Sequence, residues 1–151
     1  MRWFSKKVAS SAGFTLAEVL AGILLFGILA AIAMPNFTRV LPGLRLGDAA
    51  RQIATDLQQL RMKAIAQNTP YQATISSTTY LLQKCNGSCV DDSGNLTLPT
   101  GITATASAAP QFLARGTASA AVTITLTNGA TTKYVCVKPV GRVNIQDTIC
   151  S

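Results

Sequence analysis

The sequence contains no histidine. That absence removes histidine-dependent catalytic triads and histidine-ligated metal centres from consideration. Acids are also scarce, six Asp and Glu against thirteen Lys and Arg, and only 13% of the residues are charged. No Gly-x-Ser-x-Gly elbow and no glycine-rich phosphate loop occurs, so hydrolase and nucleotide chemistry find no support and no cofactor is implied. The chain is read as a non-enzyme.

At 151 residues there is room for one domain with a real core and an appendage. The 48% hydrophobic content is ordinary, but it is concentrated in a block near the N-terminus. From Phe14 to Met34 the only clearly polar side chains are Thr15 and Glu18. As a helix this stretch would be about 31 Å long, matching a bilayer's hydrocarbon core. Arg2, Lys6 and Lys7 precede it, and the positive-inside rule keeps them cytoplasmic and places everything after Met34 on the far side. Glu18 is the anomaly, because an unpaired carboxylate in an apolar helix costs on the order of 2.5 kcal/mol or more. Cleavage after Gly13 would supply a cation, the new amine of Phe14, one helical turn away. An ordinary secretory signal cut after Ala31-Ile32-Ala33 fits the long basic leader and the embedded glutamate poorly. A permanent signal anchor leaves Glu18 unexplained.

Cys85, Cys89, Cys136 and Cys150 all lie beyond the apolar block, in the exported part, where disulfides are the better reading. Of three pairings, Cys85 with Cys89 and Cys136 with Cys150 is favoured, because a short loop separates each pair. A four-cysteine zinc site is the rival, but the usual paired C-x2-C spacing is missing. Asp91, Asp92 and Asn95 suggest a calcium loop only weakly, since no glutamate follows at the EF-hand spacing; a solvated turn is preferred.

Pro35 and then Pro42-Gly43 predict an interrupted helix, kinked or melted, between the apolar block and the soluble domain. Leu46, Ala50, Ile53, Leu57, Leu60 and Ala64 then recur at helical spacing, with Arg51, Asp56, Gln58, Gln59, Arg61 and Lys63 on other faces. This amphipathic helix should end near Asn68-Thr69-Pro70 and dock its stripe on a sheet. Threonine and branched residues predict strands over 71–75, 79–84, 102–106, 121–127 and 133–138. Asn128-Gly129 signals a hairpin; a two-residue turn there would set Val122 opposite Val135 but Ile124 opposite Lys133, so the register stays open. Residues 100–121, rich in Ala, Ser, Thr and Gly, read as irregular loops or weak edge strands. The fold class is α+β.

Gly13-Phe14-Thr15-Leu16-Ala17-Glu18, an apolar run and Pro35 together resemble the type IV prepilin signature. The resemblance implies a leader at 1–13 removed by prepilin peptidase, N-methylation of Phe14, and a filament-core or transmembrane helix at 14–34. It implies that Glu18 neutralises the neighbouring subunit's N-terminus, and that Pro35 sits where such pilins carry a kinking proline. Residues 35–151 would form the amphipathic helix and a periplasmic, mostly antiparallel β domain, with other pilins, the peptidase and the inner membrane as partners. Within pilins, the late hairpin and the stretch Val140-Gly141-Arg142-Val143-Asn144-Ile145 resemble the GspH/FimT group of minor pilins and pseudopilins. The implied function is a minor pilin of a type IV pilus, with a minor pseudopilin of type II secretion as the alternative. FimT-like proteins carry a Gly-Arg-x-Arg element that contributes to DNA binding in transformation; Gly141 and Arg142 match it, and Asn144 stands in place of the second arginine. Arg115, Lys133, Lys138 and Arg142, against only Asp147 beyond Asp92, make DNA a candidate partner. A solvated strand face or pairing with an acidic neighbouring subunit is the preferred account, because four scattered cations are a small footprint.

Overall fold

The computed structural model describes residues 13–150, apart from the side chains of residues 33–39. Residues 1–12, with Arg2, Lys6 and Lys7 of the expected leader, lie outside the described residues, as do the side chains of Ala33, Met34 and Pro35. The chain divides into two compact units, Met1–Thr38 and Arg39–Ser151.

One helix, α1 (Leu16–Ala66), enters both units. The expected break at Pro35 and Pro42-Gly43 does not occur, and helical backbone continues through all three positions. Each proline removes one N–H from the ladder, and the turns on either side retain theirs, so a long helix tolerates the loss. At Pro42 the hairpin loop adds an outside bond, the Asn128 side-chain amide donating to the Pro42 carbonyl at 3.2 Å. The helix ends where expected: the Gln67 N–H closes on the Lys63 carbonyl, and Asn68 turns left-handed at φ 49°.

In the second unit, eight strands succeed the helix: β1 (Tyr71–Ser76), β2 (Thr79–Asn86), β3 (Ser88–Thr97), β4 (Thr103–Ala106), β5 (Gln111–Phe112), β6 (Val122–Thr127), β7 (Thr132–Val137) and β8 (Val143–Gln146). They form two antiparallel sheets, ordered β3-β2-β1-β5 and β4-β6-β7-β8. A bridge between Ser77 and Ala104 links them, with the Ala104 N–H donating to the Ser77 carbonyl at 2.7 Å. The helical stripe Leu46, Ala50, Ile53, Leu57, Leu60 and Ala64 is buried, as its spacing predicts, in one core with Tyr71, Tyr80, Phe112, Ile124, Leu126, Val135 and Val137. A long helix packed on antiparallel sheet makes the domain α+β.

Two strand expectations need correction. Asp91 to Asn95 do not form a turn but run within β3, paired with β2 across a register shift between Leu81 and Gln83. Nearly every β3 residue is exposed, so pairing alone defines this strand and no apolar pattern announces it. The β6–β7 loop contains four residues, not two: Thr127 pairs with Thr132, which sets Ile124 opposite Val135 and Val122 opposite Val137. The Asn128 carboxamide oxygen accepts from the N–H groups of Ala130 (3.0 Å) and Thr131 (2.8 Å), an Asx turn that lengthens the loop and matches apolar residue to apolar residue. Within 100–121, the short β4 and β5 are edge strands, as expected, and Phe112 is fully buried.

The bridges are Cys85–Cys89, directly opposite each other across the β2–β3 hairpin, and Cys136–Cys150, which ties the chain after β8 back to β7. All four cysteines are thereby committed, leaving no thiolate for zinc.

The helix is also fastened to the first sheet by a half-buried polar cluster. The Tyr80 hydroxyl donates to the Asp56 carboxylate and accepts from the Gln52 amide at 2.9 Å. Burial, and then the hydrogen bond and charge of Asp56, push the Tyr80 hydroxyl well above its ordinary 10.0. Below about pH 10 the phenol is neutral in both folded and unfolded chains; above it only the unfolded chain ionises, so stability falls as pH rises. Tyr80→Phe should lower stability by roughly 1–3 kcal/mol at neutral pH and flatten the decline in Tm above pH 10. An unchanged alkaline slope in the variant would remove Tyr80 as its source.

Candidate functional site

Two regions carry the residues singled out by the sequence. The first is the start of α1. Thr15 caps it: its hydroxyl accepts from the Glu18 N–H at 3.3 Å, and its carbonyl accepts from Glu18 (3.1 Å) and Val19 (3.2 Å). Glu18 therefore stands three residues past the cap, where a carboxylate also suits the positive end of the helix dipole. Phe14 is 84% exposed, and Leu16, Leu24, Phe26 and Leu29 are exposed on all sides of the same helix. A helix apolar all round needs an apolar environment from outside itself. Among the described residues no helix is long and apolar enough to cross a membrane; in the sequence the run continues to Met34.

The second region is one end of the second sheet. There the β7–β8 turn is closed by the Gly141 N–H on the Lys138 carbonyl and the Lys138 N–H on the Arg142 carbonyl, both 2.8 Å. Gly141 adopts φ +81°, a left-handed conformation that glycine takes without penalty. A second small loop lies against it, closed by Gly116 N–H on the Leu113 carbonyl at 2.8 Å, with the Ala118 N–H donating to the Pro139 carbonyl at 2.9 Å. Arg61 of α1 completes the junction by donating from Nε to the Gly116 carbonyl at 2.7 Å. A Cβ on Gly141 would stand 2.0 Å from that carbonyl oxygen and 2.9 Å from Arg61 Nε, so no side chain fits there.

This junction redistributes the proposed DNA-contacting residues. Arg115 and Arg142, both exposed, flank the two apposed glycines, and Lys138 begins the turn. Lys133 is not with them. It lies at the other end of β7, about 17 Å along the strand by its rise per residue, where it pairs with Asp147 at 2.5 Å. Asn144, in the position where a second arginine would complete the Gly-Arg-x-Arg element, instead accepts from Arg142 Nε at 3.0 Å. Arg61, which the sequence placed only on a polar helix face, is the addition. Nothing local could have found it, since its partner is 55 residues away.

Between α1 and the Gly141–Val143 segment runs an open groove of about 930 Å³, lined among others by Gln58, Arg61, Met62, Ile65, Arg142 and Val143. No acidic residue lines it. Lys63, also in the lining, is matched by Asp92 at 2.6 Å, and that bond raises the pKa of the amine. Asp92 is thus engaged by a cation and Asp91 by the Gln83 amide at 2.9 Å. Among the described residues no cluster of three or more acidic or cysteine side chains could hold a metal.

Residues 49–141 match the sequence profile of a family described as type II transport protein GspH. The fold is similar to that of the type IV minor pilin FimU of Pseudomonas aeruginosa, with TM-score 0.59 and 17% identity over 70% of this chain and 92% of that one. It is equally similar to the minor pseudopilin EpsH of the Vibrio cholerae type 2 secretion system, with TM-score 0.59 and 12% identity over 68% of this chain and 96% of that one. No curated protein sequence matches the chain significantly.

Two glycine substitutions separate conformation from contact. Gly129 has φ +86° with open space around a Cβ, so Gly129→Ala should cost only the left-handed penalty of about 1–2 kcal/mol. Gly141→Ala meets that penalty and a backbone collision, and should lower the melting temperature clearly further; equal losses would show that the junction gives way freely.

Proposed function

Because the chain belongs to the GspH family, a group of minor pilins and pseudopilins, we propose that it is a membrane-held minor subunit of a type IV pilus that primes or joins the filament. The single observation behind this reading is the start of α1: an exposed phenylalanine, a capped first turn containing the one carboxylate, and apolar side chains on every face. Cleavage after Gly13 creates an amine on Phe14 that a neighbouring subunit's Glu18 can neutralise in an apolar setting, where an unpaired charge is costly. Residues 14–34 hold the precursor in the inner membrane and later the filament core, with residues 35–151 on the periplasmic side.

The same N-terminal arrangement serves a type II secretion pseudopilus, which is the second reading supported by the family match. Deleting the gene distinguishes them: loss of surface pili supports the first, and loss of secreted substrates with pili intact supports the second. Nucleic-acid capture is the weaker additional reading, because Lys133 is paired with Asp147 at the far end of β7 and Asn144 stands where a second arginine would complete the Gly-Arg-x-Arg element.

Intact-mass measurement of the membrane-extracted chain should show loss of residues 1–13 and gain of one methyl group. A mature chain beginning at Met34 would exclude this assignment. Glu18→Ala should be processed normally yet appear in sheared filaments at least about tenfold less than the parent, the equivalent of about 1.4 kcal/mol. Undiminished incorporation would take assembly away from Glu18.

A further inference from the structure

We infer that the groove between α1 and the Gly141–Val143 segment docks an acidic segment of a different subunit, one carrying apolar side chains beside its carboxylates. This rests on the reading of the chain as a filament subunit and adds which face meets a neighbour and what that neighbour must offer. From Arg39 onward the chain holds ten cations and five aspartates, a net +5. All five aspartates already have partners within the domain: Asp48 with Arg51, Asp56 with Tyr80, Asp91 with Gln83, Asp92 with Lys63 and Asp147 with Lys133. At the groove the two arginines bond to neutral oxygens, Arg61 to the Gly116 carbonyl and Arg142 to the Asn144 amide, so their charge meets no carboxylate in these bonds. Charge complementarity calls for an anion from outside.

Two features identify the occupant. A second copy of this chain brings the same excess of positive charge and no uncommitted aspartate, so it is repelled. Nucleic acid would meet a lining that includes exposed apolar side chains, Met62 at 69% and Ile65 at 48%, and whose third cation, Lys63, is already paired with Asp92. Phosphates are read by rows of cations, whereas exposed apolar side chains sharing a groove with two arginines suit a protein segment with mixed carboxylate and aliphatic character. Gly141 and Gly116 keep the wall in place: the left-handed turn and the Arg61 bond set where Arg142 emerges.

The test uses the full chain in detergent micelles and three probes: a labelled peptide with glutamate and leucine at helical spacing, its glutamine counterpart, and a random-sequence DNA duplex. The glutamate peptide should bind in a salt-sensitive manner, and at least about tenfold more tightly than the glutamine peptide or the duplex. Arg142→Ala, at an exposed position, should weaken it to a similar degree, while Lys133→Ala, at the far end of β7, should leave it unchanged. Tighter binding of the duplex, equal losses in both variants, self-association in place of peptide binding, or no peptide binding would each overturn the proposal. Filament incorporation of the parent chain, assayed in parallel, separates the two readings: incorporation without peptide binding sinks the docking surface alone, and failure of processing and incorporation sinks the filament reading itself.

Discussion

The domain depends on burying one face of one helix. Between Leu46 and Ala64 the stripe of α1 is removed from water in one core with residues of both sheets, which are themselves joined by a bridge at Ser77 and Ala104. At roughly 25 cal/mol per Å² of apolar surface, this burial is the dominant favourable term available to a domain of this size. The directional contacts around it, the Tyr80–Asp56 bond and the Arg61–Gly116 bond, fix rotation and position along the helix and leave the driving force to packing. The same helix exposes apolar side chains on all faces between Leu16 and Ile32, so one secondary-structure element changes along its length from apolar all round to amphipathic.

Elements were legible in the sequence where their signal is periodic or contiguous. The stripe from Leu46 to Ala64 obeys the helical period, and Val122, Ile124 and Leu126 alternate with threonines, so both elements could be read directly. Strands β3 and β8 escaped because they are edges: their backbone pairs on one side, and their side chains give little burial pattern. Proline was given too much weight at Pro35 and Pro42, because each costs one hydrogen bond in a ladder of fifty-one residues. The hairpin turned on Asn128, whose side chain supplies two bonds that a dipeptide rule does not count.

The candidate sites divide in the same way. Gly13, Phe14 and Glu18 are neighbours along the chain, so their relation needs no tertiary structure. Arg61, Gly116 and Gly141 come from three separate segments, and only the folded chain brings them together. Gly141 is explained without any ligand, since the Gly116 carbonyl occupies the space a side chain would need. Arg142 is a different matter: it is exposed, steadied by Asn144, and makes no contact that the domain needs for its core.

The Cys136–Cys150 bridge has a mechanical meaning. β8 is an edge strand, joined to the sheet through β7 alone, and a strand pulled from one end parts from its neighbour one hydrogen bond at a time. The bridge encloses that strand in a covalent loop, so traction on the chain end reaches β7 through sulfur before the strand can unzip.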